Sequence, residues 1–296
     1  MPVRMSWAAL LICVAATAAS AQDQFSPPPL SPPLSQYGPL RAPSLQTRSL
    51  SPDVRRAVET ALGQSAAAST KAMEAEAMMR AARRAASDGR EAARNAERGR
   101  KGYDSIRLSL DRETCRYSGQ VRRGRASGVG AMRCGRASYE GQFRDGRPDG
   151  LIVIERPDGG YLGQYRRGRR DGLGGDYARA NADAYEGEYQ DGARMGLGIE
   201  RDKDGFYPGQ YGFFTSASGR QVNMELSGTQ DFRGTHWAGT YGAHSGPKIV
   251  CRLIKGAVLE GSVLDGDGAK FDARGRVVEQ GHYRLGILDG GKGPPC

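Results

Sequence analysis

The chain has 296 residues, a formal net charge of +10 and 43 glycines, roughly twice the ordinary share, while aromatic residues make up only 7%. This composition excludes a compact enzyme built on one large apolar core, and the lack of a strict Gly-x-y period excludes collagen. Only Gly38, Gly63, Gly89 and Gly99 precede residue 101, so glycine organises the later part of the chain alone.

The N-terminus reads as an export signal. Arg4 is the one charge before the apolar run Trp7–Ala19, and Ala19-Ser20-Ala21 supplies a small-x-small cleavage pattern. Residues 1–21 are therefore expected to be a signal peptide cleaved near Ala21, giving a periplasmic or secreted product. The 13 apolar residues reach only about 20 Å as a helix, short of the ~30 Å membrane core. In an oxidising compartment the remaining cysteines, Cys115, Cys134, Cys251 and Cys296, are candidates for disulfides.

Residues 22–50 are rich in Pro and Ser, as in Ser26-Pro27-Pro28-Pro29, and predict a disordered, extended tether. Residues 51–101 change to Ala, Arg and Glu. Ser51-Pro52 opens a long helix, and Val54, Val58, Leu62, Ala66, Met73, Ala77, Ala81 and Ala85 form its expected apolar stripe. Asp88-Gly89 is expected to weaken it and Gly99 or Gly102 to end it. Three uses stay open: an alanine-rich coiled coil giving a homo-oligomer through 51–100, packing on the rest of the chain, or a marginal solvated helix. The face carrying Arg80, Arg83, Arg84, Arg90 and Arg94 reads as solvated, and no nucleic-acid partner is expected.

From residue 113 a period appears. Tyr117, Tyr139, Tyr161, Tyr185 and Tyr207 each open a Tyr-x-Gly pair, with Gly119, Gly141, Gly163, Gly187 and Gly209 two residues on. An aromatic follows at +4 (Phe143, Tyr165, Tyr189, Tyr211), and glycines recur at +7, +11 and, in three units, +13. Fixed self-similarity of this length marks a repeat architecture. The pattern resembles the MORN repeat family, whose unit is a β-hairpin. The resemblance implies a mainly β fold: an elongated, twisted antiparallel ribbon of tandem hairpins over 113–214, preceded by the Ala-rich helix.

Tyr, Gly and the second aromatic share one strand face, so an aromatic ring is expected across the bare glycine backbone. The +7 and +11 glycines are both expected at chain reversals, and Glu140, Gln142, Gln164, Glu186 and Glu188 to face away from the aromatics. Residues 215–296 are expected to hold about three degenerate units, at Trp237, Leu259 and Glu279. The 30-residue step from Tyr207 to Trp237 implies an irregular insertion near 212–236. In the first hairpin Cys115 and Cys134 share the symmetry of Tyr117 and Met132, which predicts a cross-strand disulfide capping the first sheet edge; Cys251–Cys296 pairs the remainder.

Little points to chemistry. His236, His244 and His282 have no metal-ligand spacing, and no phosphate-binding or nucleophile-elbow motif occurs. Asp202-x-Asp204-Gly205 and Asp265-x-Asp267-Gly268 lack the other ligands of a calcium loop and read as turns. No catalytic, metal or cofactor site is expected. Arg122, Arg123, Arg125, Arg166, Arg167, Arg169 and Arg170 are candidate anion-binding residues on hairpin turns. The MORN resemblance implies protein interaction and assembly, with the helix supplying oligomerisation or docking; with the export signal and no catalytic motif, the expectation is a non-catalytic exported scaffold that binds a protein in the cell envelope. An anionic membrane surface or other polyanion is the alternative ligand, and a hydrolase with a site in 212–258 the remote one.

Overall fold

The computed structural model describes residues 45–180, 183–202, 205–215, 221–232, 235–244, 261–284 and 287–290. The expected signal, most of the tether, Cys251 and Cys296 lie outside these residues. Among the described residues, a 3-10 turn (Thr47–Ser49) and one α-helix, α1 (Pro52–Glu97), precede fifteen strands. The strands are β1 (Tyr103–Leu110), β2 (Glu113–Arg122), β3 (Arg125–Cys134), β4 (Ala137–Arg144) and β5 (Arg147–Arg156). They continue with β6 (Gly159–Arg166), β7 (Arg169–Ala178), β8 (Ala184–Gln190), β9 (Ala193–Arg201) and β10 (Gly205–Thr215). The last five are β11 (Gln221–Phe232), β12 (Thr235–His244), β13 (Gly261–Phe271), β14 (Val277–Arg284) and β15 (Ile287–Leu288). All fifteen form one antiparallel sheet in sequence order. The fold is mainly β, a series of tandem hairpins with one long helix.

The units share one internal logic. Tyr117, Tyr161 and Tyr185 each lie flat across a pair of facing glycines, Gly119/Gly130, Gly163/Gly174 and Gly187/Gly198, where any Cβ would strike the ring or its hydroxyl. The phenol tip then donates to a backbone carbonyl three residues on: Gln120 at 2.9 Å, Gln164 at 2.8 Å and Glu188 at 3.1 Å. These rings are fully buried, and burial pushes their hydroxyls well above the ordinary range, so they remain donors. The +4 aromatics stack edge-on between them: Tyr117–Phe143 at 5.0 Å, Tyr161–Tyr189 at 5.2 Å and Tyr185–Tyr211 at 4.9 Å.

The +7 glycines do sit at reversals. Each follows a residue of positive φ, as in Asp145-Gly146 and Asp191-Gly192, the geometry of a two-residue type I′ turn. The +11 glycines do not. The register slips between +2 and +4 in each of the first four units, a bulge at +3. There the side-chain oxygen of Gln120, Gln142, Gln164 or Glu188 takes over the backbone's role. It accepts from the amides of Val129, Leu151, Leu173 and Leu197 at 2.9, 2.8, 2.7 and 2.7 Å. Gly128, Gly150, Gly172 and Gly196 leave the room this side chain needs. The +3 residues are thus part of the frame rather than a solvent face.

Helix α1 packs on the sheet, the second of the three uses left open. It touches every strand from β14, near its start, to β1, near its end. Val54, Val58 and Ala61 pack with Ala238, Ala269 and Phe271, while Ala68 and Ala72 meet Ile199. Further on, a Cβ on Gly175 would approach the Met79 sulfur to 2.7 Å. Forty-six residues at about 1.5 Å give roughly 69 Å, and the thirteen inter-strand steps at about 4.8 Å give roughly 62 Å.

The buried stripe alternates steps of four and three: Val54, Val58, Ala61, Ser65, Ala68, Ala72, Ala75, Met79, Ala82, Ala86, Gly89, with Ala85 of the expected stripe also buried. The expected steps of four drift about 40° at each step and leave the interface. Ala66 is indeed exposed and Met73 is 52% exposed. Gly89 is a point of closest approach and not a weak spot: a Cβ there would enter the Gly130 carbonyl and the Gly141 amide.

Four boundaries also differ. Residues 45–50 dock instead of dangling, with Leu50 buried beside Val54 and the Gln46 amide bonded to the Gly275 carbonyl. The unforeseen strand β1 forms the first edge, so the Cys115–Cys134 disulfide lies one strand inside it, joining β2 to β3. Residues 212–215, 221–232 and 235–236 belong to strands, which a lengthened β10–β11 hairpin and β12 accommodate. Leu259 lies outside the described residues; Gly261–Phe271, which follows it, pairs with β12 as the return strand of the unit begun by Trp237, with Gly239 facing Gly268. Gly266 serves as that unit's +11 glycine, because Thr240 fills the space above it.

Candidate binding surfaces

On the tyrosine face, a charge network closes over the aromatic row. Arg170 and Arg194 both reach Asp176 at 2.6 Å, and Arg194 also reaches Glu200 at 2.6 Å. Their guanidinium groups lie over aromatic rings, Arg170 above Tyr161 at 5.2 Å and Arg194 above Tyr185 at 4.9 Å. Burial opposes the charge on Arg194, but Asp176 and Glu200 more than offset it and hold the group cationic. This network satisfies itself.

Tyr139 breaks the pattern. Ile152 stands where a +13 glycine would receive its ring, so Tyr139 is only partly buried. It lines a groove of about 570 Å³ beside the turns β1–β2, β3–β4 and β5–β6, with Leu110, Glu113, Arg136, Arg156 and Asp158. Both charge signs and an apolar floor meet there.

The seven predicted anion-binding arginines do not form one ridge. Arg122, Arg123 and Arg125 are exposed at the β2–β3 turn, with no ion pair among the described residues. Arg166 is bonded to Asp171 at 2.6 Å, and the Arg167 amide donates to Asp149 at 3.1 Å. Arg169 is exposed, whereas Arg170 lies on the tyrosine face in the network above.

Sequence reasoning missed where the charge collects. Residues 80–147 hold 18 Lys+Arg against 8 Asp+Glu, which accounts for the whole +10. They comprise the second half of α1 and the strands from β1 to the start of β5. Within this end, Arg107 on β1 faces Arg116 on β2, which faces Arg133 on β3. All three are exposed, and no acid pairs with them among the described residues. They share the sheet side that carries α1, where Arg90 instead pairs with Glu140. Like charges on neighbouring strands, about 5 Å apart, cost about 1 kcal/mol per pair in water. The register of the two cysteines was the available signal, since it places Arg116 opposite Arg133.

The histidines make ordinary structural contacts, but only one paired-aspartate segment lies at a turn: Asp265 and Asp267 lie within strand β13, and Asp204 lies outside the described residues. Asp202 accepts from the Gly205 amide at 2.8 Å in the β9–β10 turn, and His282 Nδ1 lies 2.9 Å from Asp267 across two strands. The side chain of His244 lies outside the described residues, and His236 stands 3.8 Å from Asp231.

A meander of hairpins with a tyrosine laid over paired glycines defines a tandem β-hairpin repeat protein. The MORN repeat model matches residues 117–135, 139–160, 161–174 and 185–206. Residues 117–206 thus carry MORN repeats in four consecutive segments. Comparison with curated proteins found no matching relative.

Proposed function

We propose that the protein is an exported, non-catalytic scaffold that binds a protein partner in the cell envelope. The observation that carries this reading is the division of labour among its residues. Tyrosines, glycines and the +3 side chains are spent on the frame, and α1 braces one face. Unpaired cations are left on rigid strands at one end. Such a frame positions a surface without needing to move. The test is capture from the native envelope with the purified chain as bait, followed by sedimentation of the recovered complex. One partner at stoichiometric amount supports the reading. A chain that stays monomeric and retains nothing beyond an inert control overturns it.

The concentration of charge in residues 80–147 favours a second reading, an anionic surface as ligand. Co-sedimentation with vesicles containing anionic lipid should then be strong at low salt and lost at high salt. No binding at low salt removes this reading.

A further inference from the structure

Among the described residues β1 is the first edge of the sheet and runs for eight residues, while at the other end β15 pairs with only Tyr283 and Arg284 of β14. The Val121 amide donates to the Gly102 carbonyl, so in the antiparallel ladder the even-numbered residues of β1 bond to β2. The odd-numbered residues turn their backbone groups outward. Two of these amides are already occupied: Tyr103 donates to the Arg100 carbonyl at 3.0 Å and Ser105 to Asp104 Oδ1 at 2.7 Å. The amides of Arg107 and Ser109 point outward with no partner among the described residues.

The side chains of β1 alternate as well. Ile106 and Leu108 are partly buried against the tyrosine-face core, while Arg107 and Ser109 lie exposed on the other face. Arg107 is the outermost member of the row that continues through Arg116 and Arg133.

We propose that β1 is a docking edge for an extended partner strand that alternates apolar and acidic residues. The strand would bond to the open amides of Arg107 and Ser109. Its acid, opposite Arg107, would fall at the end of the three-arginine row, and its apolar residues would extend the surface of Ile106 and Leu108. Charge complementarity selects this occupant. A second copy paired through β1 would lengthen the like-charged row from three cations to six. Residues 22–44 of this chain are a poor match, with seven prolines and one acid. The proposal rests on the protein-binding reading above and specifies the partner's chemistry.

The test uses the purified chain and three labelled, end-blocked octapeptides: one alternating valine and glutamate, one with the same residues in two blocks, and one alternating valine and lysine. Fluorescence anisotropy at low salt should show binding of the first alone, with slowed hydrogen exchange at Arg107 and Ser109. Arg107→Glu should weaken it at least tenfold. Ser109→Pro should do the same, because it removes an outward amide and leaves the β1–β2 bonds in place. Circular dichroism and a denaturation midpoint confirm that both variants remain folded. Equal binding of the block peptide, or no effect of Ser109→Pro, would reduce the surface to a charge patch and overturn edge docking. Binding of the lysine peptide would overturn the charge rule. A dimer lost with Ser109→Pro would show a second copy at the edge and overturn the acidic partner. If Ser109→Pro still captures the envelope partner, edge docking fails while the scaffold reading stands.

Discussion

The fourth and fifth hairpins solve one problem in two ways. Each has a pair of facing glycines, Gly187/Gly198 in one and Gly209/Gly228 in the other. In the fourth, the Tyr185 ring covers the pair. In the fifth, Tyr207 turns to Asp202, and the carboxyl of Glu225 lies over the glycines instead, buried and bonded to Gln230 at 2.9 Å. A glycine pair therefore specifies a slot and not a residue. Tyr185 and Glu225 each bring a polar tip to the slot, whereas over the facing pair Gly239/Gly268 the Leu264 side chain brings an apolar one. The phenol remains neutral at physiological pH, but the carboxyl does not do so by default. Burial raises the Glu225 carboxyl to about 8.

The largest expected effect separates the two ends covalently. Replacing Cys115 and Cys134 together with serine opens a loop of sequence separation 19 and should cost about 3 kcal/mol. Urea unfolding with and without reductant checks this, since reduced wild type should match the double variant. Next, Gly198→Ala puts a methyl into the Tyr185 ring and should cost about 2–3 kcal/mol by the same measurement. A neutral result would mean that the tyrosine slot is loose.

Glu225→Gln sharpens the contrast through pH. The folded pKa, about 8, exceeds the ordinary 4.5, so the folded state keeps a proton that the unfolded chain releases. Wild-type stability from this group should be full below about pH 4.5 and fall as pH rises through 8. The glutamine variant should therefore be the more stable at pH 9 and equal to wild type at pH 4. Denaturation midpoints across that range decide it, and Tyr185→Phe should show no such slope.

The smallest effect has a sign that distinguishes the two halves of α1. Gly63→Ala meets open space and should stabilise by about 0.5–1 kcal/mol. Gly89→Ala meets the backbone of two strands and should destabilise by about 1 kcal/mol or more despite the better helix former.

Period and turn chemistry made the repeats legible, because each of the first four hairpins carries its own Tyr-x-Gly and its own two-residue turn. β1 carries neither and went unseen. The +3 and +11 positions were misread because their partnership exists only across a bulge, between residues eight apart on different strands. The helix stripe was misplaced because alanine is compatible with either face. Only the sheet beneath distinguishes Ala61 and Ala68 from Ala66. The arginine row spans sequence separations of 9 and 17 and forms no local run. The basic turn ridge was expected from neighbours in sequence, but strand alternation sends Arg169 and Arg170 to opposite faces.

The match between α1 and the sheet also constrains how such a chain can change length. Seven helical residues advance about 10.5 Å and one hairpin about 9.6 Å, so each heptad serves one repeat. Duplicating a 22-residue hairpin alone would leave two strands without a brace. Deleting one would carry the helix past the sheet edge. Gains and losses of repeats in this lineage should therefore come as coupled events, a hairpin in the sheet together with a heptad far upstream. The few residues of overhang in the helix set the tolerance for any step taken singly.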